Sequence, residues 1–167
     1  MEKYQELKKK ALRCIAVADH MLTMTYPLVE DPKLLVAVIE NIFLGITNIM
    51  GALLYYERIY KRVPAFSDTF ESKFNIFKKK CIKRYDINRN YLNFMLEVKE
   101  IVAENKKSPL TFSRKDKFVI CSDNYRLKTL SVDDLKTHLE KAKLFIHEIC
   151  SIIDKNERIF SESKRRT

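Results

Sequence analysis

The stretch that decides the fold is residues 31–61, DPKLLVAVIENIFLGITNIMGALLYYERIYK. Asp31 followed by Pro32 reads as a helix start. The aspartate accepts a bond from an orphan N–H of the first turn, and the proline's fixed φ and missing N–H suit the first helical position. From Leu34 to Tyr56 apolar side chains occupy nearly every side of the helical wheel, so this helix is expected to be buried on most of its surface. A membrane-spanning segment has a similar composition. Here Glu40, Asn41, Thr47 and Asn48 interrupt the run, and the longest uncharged part, Asn41 to Tyr56, falls short of the ~20 residues a span needs. The expectation is the central helix of a soluble bundle, about residues 32–61, ended by Val63-Pro64.

The flanking sequence supplies partners for such a helix. Tyr4, Leu7, Ala11, Ile15, Ala18 and Leu22 recur at three and four residues, which predicts a first helix over residues 2–26, with a bend near Pro27. Asp68 is expected to cap a third helix carrying Phe70, Phe74, Phe77 and Cys81 on one face. Asn88 should cap a fourth, with Tyr91, Met95, Val98 and Val102 inward. Ser131, with Asp134 three positions on, resembles a capping box for a last helix from Val132 to about Phe160. Between the fourth and last helices, Phe118 to Cys121 and Tyr125 to Leu130 are β-prone and flank the turn-forming Ser122-Asp123-Asn124. A small β-hairpin or ordered loop is expected over residues 117–130. The fold class is therefore all-α, a bundle of about five helices forming one domain over residues 1–160, with a frayed basic tail at 161–167.

Composition agrees with this reading and narrows the function. The 167 residues contain only 2 glycines and 4 prolines, too few for a turn-rich β sandwich, and no P-loop, G-x-G-x-x-G or G-x-S-x-G can be written from them. The four cysteines, Cys14, Cys81, Cys121 and Cys150, are far apart in sequence, without the close pairs of a zinc site, and the three histidines form no ligand spacing. No metal and no cofactor are expected. The charged, amphipathic N-terminus is unlike a secretory leader, and the cysteines read as reduced thiols, which together suggest a cytoplasmic protein. His138 and His147 read as surface groups, and Glu40 as a buried carboxylate in need of a partner.

The formal net charge is +10, and it is concentrated. Residues 63–130 carry fifteen Lys or Arg against eight Asp or Glu, while the two ends are nearly balanced. Lys78, Lys79, Lys80, Lys83 and Arg84 lie on the third helix. Arg114, Lys115, Lys117, Arg126 and Lys128 surround the expected hairpin, with Tyr85, Phe112, Phe118 and Tyr125 among them. Cations beside aromatics suit RNA, whose phosphates need neutralising and whose unpaired bases stack. A solvated lysine face has the same composition, as does a surface for an acidic protein. The expectation is a non-enzymatic RNA-binding or RNA-associated protein that uses the third helix and residues 106–128.

Two further constellations point elsewhere. Asn41, Gly45, Asn48 and Ala52 line one stripe of the central helix, small and amide side chains that permit close helix approach. The stripe suits either a homodimer or protein-partner interface, with the amides fixing register, or an internal contact in which the asparagines meet groups such as Thr23 or His20. Arg13 and His20, two turns apart on the first helix, carry the chemistry of metal-free RNA cleavage: a cation for phosphorane-like charge and an imidazole to move a proton. The segment Arg13-Cys-Ile-Ala-Val-Ala-Asp-His20 resembles the R-x4–6-H motif of HEPN-type helical ribonucleases. That resemblance implies a basic helical bundle, often dimeric, with paired motifs facing a cleft.

Overall fold

The computed structural model describes residues 1–107, 112–113, 117–121 and 127–166, and side-chain surroundings for 1–106 and 130–166. The protein is an all-α bundle built around α3 (Pro32–Ile59). Asp31 caps α3 by accepting from the Lys33 N–H at 3.0 Å, with Pro32 in the first turn. The helix buries Leu35, Val38, Ile39, Ile42, Ile46, Ile49, Met50, Leu53 and Leu54 completely, the all-round pattern its sequence demands.

The first helix, α1 (Lys3–His20), makes the largest contact with α3 and buries Tyr4, Leu7, Ala11, Ile15 and Ala18. A π turn over Met21–Thr25 follows and leads into the short α2 (Tyr26–Val29). Helical structure thus continues through Pro27 as far as Val29. A proline clashes with the carbonyl four residues back, here Thr23, and the wider π turn carries Thr23 out of register. The reversal falls at Glu30, which adopts the left-handed conformation with φ 54°.

The third helical region is α4 (Phe70–Ile76), a second π turn (Phe77–Cys81) and α5 (Ile82–Arg84). Its cap is Thr69, which accepts from the Ser72 N–H at 3.3 Å. Asp68, the expected cap, pairs instead with Lys73 at 2.5 Å. Helix α6 (Asn90–Lys107) starts where Asn88 accepts from the Asn90 N–H, and it buries Met95, Val98 and Val102. Strands β1 (Phe112–Ser113), β2 (Lys117–Cys121) and β3 (Leu127–Ser131) form an antiparallel sheet in the order β1-β2-β3. The hairpin lies where the sequence placed it, with Lys117 opposite Ser131 and Ile120 opposite Lys128. The two-residue β1 is an addition too short to leave a period. The sheet leans on the bundle through β2 against α6, as a marginal hairpin must.

The capping box forms as written: Ser131 accepts from the Asp134 N–H at 3.1 Å and Asp134 from the Ser131 N–H at 2.9 Å. It opens α7 (Val132–Arg165), which runs beyond Phe160 through the segment expected to fray. Cross-helix pairs Lys8–Asp154 and Lys143–Asp19 join α7 to the α1 side of the bundle.

Gly45 and Gly51 are points of close approach. A Cβ on Gly45 would lie 3.3 Å from Ile146 Cδ1 and 3.5 Å from the Ala11 carbonyl. One on Gly51 would lie 3.3 Å from Leu7 Cδ1. Gly45 and the fully buried Ala52 therefore face the chain's own helices. Asn48 approaches the Cys14 thiol, and the Asn41 amide donates to the Ala37 carbonyl at 2.9 Å. At Gly45 and Asn48 the approaching helix is α1 of the same chain, and the hydrogen bonds seen among the described residues take Thr23 to Asp19 and His20 to Thr25. Gly45→Leu is expected to overpack this contact and lower the unfolding free energy by about 1–3 kcal/mol in a urea titration, with no change in oligomeric mass. A change in mass at unaltered stability would place the stripe between copies instead.

Candidate nucleic-acid interface

The second π turn decides how the lysine run is displayed. Phe77 and Cys81 are four residues apart on this turn, and both are fully buried in the core. The three residues between them, Lys78, Lys79 and Lys80, are all exposed. On an α-helix two of the three would flank the apolar stripe; here the widened turn projects all three outward. Lys83 is exposed on α5. Among the described residues none of these four lysines meets a carboxylate, whereas Lys8, Lys73 and Lys99 each hold one and Lys143 holds two.

Arg84 behaves differently. It reaches into the bundle to Glu57, a carboxylate with no solvent exposure near the C-terminus of α3. Arg62 Nη1 lies 3.3 Å from the other Glu57 oxygen, and the Tyr85 hydroxyl donates to that same oxygen. Arg62 Nη1 also donates to the Tyr85 oxygen at 3.2 Å. Burial and the Glu57 carboxylate push the Tyr85 phenol up to about 12 and, likewise, the Cys81 thiol up to about 12. Glu57 and Tyr85 hold the Arg62 guanidinium in its charged form against the pull of burial.

The chain reaches this geometry through a left-handed turn. Lys61 has φ 55°, which reverses the chain after Tyr60 and lets the Arg62 N–H bond the Glu57 carbonyl at 3.0 Å. The Arg62 side chain then folds back over two rings, 5.2 Å from the Tyr60 centroid and 5.6 Å from that of Phe160. Tyr60 and Phe160 stack face to face, 4.4 Å apart and 10° from parallel. The buried acid thus joins Arg62, beside the two stacked aromatics, to Arg84 at the end of the segment that carries Lys78–Lys80 and Lys83.

Arg114, Lys115 and Arg126 lie outside the described residues; Lys117 and Lys128 lie on β2 and β3. Arg13 and His20 are both exposed on α1, and His20 Nδ1 lies 3.5 Å from Thr25 Oγ1. Glu40 is half-buried. His138 is a correction: it is only 7% exposed, edge-on to Phe94 and 3.8 Å from Glu97, because α6 covers that face of α7. His147 is exposed. Among the described residues no group of three or more His, Cys, Asp or Glu is placed to hold a metal ion.

Glu57 and the Tyr60–Phe160 stack escaped sequence reasoning. Glu57 stands among Arg58 and Lys61 and looks like one more surface charge at a helix end. Its partners Arg84 and Tyr85 lie 27 and 28 residues away. No family model matches the chain, and no curated protein matches it.

Two expected outcomes follow from the Glu57 cluster. Arg62 and Arg84 keep 28% and 36% of their side chains in solvent and can rehydrate if Glu57 is lost, but Glu57 cannot rehydrate if they are lost. The double variant Arg62→Met, Arg84→Met should therefore lose about 3–5 kcal/mol, and Glu57→Gln clearly less, in guanidinium unfolding. The reverse order would refute the assigned burial. Tyr85 ionises higher in the folded chain than the ordinary value near 10, so its contribution to stability is complete below that pH and is lost as pH rises toward 12. Tyr85→Phe should flatten that part of the alkaline stability curve; an unaltered curve would contradict it.

Proposed function

We propose that this chain is a non-enzymatic RNA-binding protein whose contact surface is the face formed by the second π turn, α5 and the C-terminal end of α3. The observation that carries the reading is the display of Lys78, Lys79, Lys80 and Lys83, four exposed cations without a carboxylate partner among the described residues. Each lysine that meets a phosphate releases condensed counterions, which favours binding at low salt.

The neighbouring residues favour RNA over an acidic protein. Arg62 and Arg84 use Nη1 on Glu57, yet each guanidinium carries five donors and is partly exposed. Tyr60, 38% exposed, offers a ring beside them. An acidic protein surface needs the cations alone, whereas unpaired RNA uses both cations and rings. Localisation in the cytoplasm accords with this role and belongs to the same proposal.

Charge reversal tests it. With Lys78, Lys79, Lys80 and Lys83 all changed to Glu, a fluorescently labelled RNA should no longer be retained at about 0.1 M salt. Removing the four contacts one by one should lower the slope of log affinity against log salt by about 0.7 each for a single strand. Unchanged retention by a folded quadruple variant overturns the proposal.

A further inference from the structure

We infer that Tyr60, Phe160 and Arg62 form a stacking site for an unpaired nucleobase, so that the cationic face selects single strands over duplex. The inference rests on the nucleic-acid reading above and adds the form of nucleic acid that the face takes.

The stack is built and held from behind. Tyr56, almost fully buried, meets Tyr60 edge-on at 5.2 Å, and Tyr4 meets Tyr56 edge-on at 5.1 Å. The Tyr4 hydroxyl donates to Glu157 at 2.5 Å, one turn before Phe160 on α7. Three elements thus fix the two outer rings: α1 through Tyr4, α3 through Tyr56 and Tyr60, and α7 through Glu157 and Phe160. Rings held in place before binding lose little freedom when a base arrives. Neither outer ring is sealed in the core: Tyr60 is 38% exposed and Phe160 is partly exposed.

The chemistry around the rings suits a nucleotide. A base adds to the stack with any sequence, because every base has a π face. Arg62 lies 5.2 and 5.6 Å from the two ring centroids and meets Glu57 and Tyr85 through Nη1, which leaves further guanidinium donors for the phosphate joining that base to the next. Arg58 and Lys61 are exposed on the same end of α3. Arg84 meets the Glu57 carboxylate on the oxygen opposite Arg62 and adjoins Lys83 in sequence, which links the aromatic stack to the end of the segment that carries the lysines. A duplex has its bases stacked within and can use only the cations.

The test uses the full chain with a labelled oligouridylate of about twelve nucleotides and a blunt RNA duplex of equal length, both followed by anisotropy across a salt series. Phe160→Leu keeps apolar bulk but removes the ring. It should weaken single-strand binding about 5- to 100-fold and leave duplex affinity and salt slope unchanged. Lys78→Glu with Lys79→Glu should weaken both ligands. If Phe160→Leu leaves single-strand binding intact, or weakens both ligands equally, the stacking site is wrong while RNA binding stands. Binding of neither ligand by the unaltered chain would remove both. The sequence has no tryptophan, so Phe160→Trp supplies a single reporter that does not depend on the leucine variant folding. Its emission should be quenched by the single strand and not by the duplex. Equal response to both ligands, or none, overturns the inference.

Discussion

Glu57 places a carboxylate with no access to water beside the end of an otherwise apolar helix. An unpaired ion there would cost several kcal/mol, so the surrounding chain has to deliver cations and donors to it. Arg62 arrives by a left-handed turn directly after α3, and Arg84 and Tyr85 arrive from the end of α5. This requirement fixes where the chain between α3 and α6 can run. It also fixes the direction in which the second π turn presents its lysines, since that turn leads straight into α5.

The same constraint links packing to the exposed surface. Arg62 is held at Glu57 and, from that position, covers Tyr60 and Phe160. Phe160 in turn gives the last part of α7 an apolar contact, which accounts for a helix running to Arg165 through a segment rich in serine and charge. Tyr4 and Glu157 bring the start of α1 to the same end of the bundle. One buried charge therefore ties Arg62, Arg84 and Tyr85 together and, through Arg62, reaches the Tyr60–Phe160 stack.

Local signals were the legible part of the fold. The Asp31-Pro32 start, the Ser131–Asp134 capping box and the all-round apolar character of α3 are short-range features, and each acts as its residue types dictate. The hairpin at 117–131 is of the same kind. The π turns are not: the first precedes Pro27, which lacks an N–H, and the second falls at Phe77–Cys81, where the apolar spacing fits an ordinary α-helix equally well. Thr69 is the cap while Asp68 pairs with Lys73 five residues on, two neighbouring candidates between which the residue types alone do not choose. The glycine stripe announced a close helix approach, but a stripe does not say whose helix approaches. For the candidate site, the lysines were legible as a run, while the Glu57 cluster and the ring stack depend on contacts such as Glu57–Arg84 and Tyr60–Phe160, 27 and 100 positions apart.

The most direct measurement of the central claim is ultraviolet cross-linking of a single-stranded uridine-rich RNA to the full chain, with the joined residues mapped by mass spectrometry. The account predicts cross-links at Tyr60 and Phe160, accompanied by contacts within residues 78–84. Cross-links confined to the opposite end of the bundle, around Met24 to Val29, or none at saturating RNA, would contradict it.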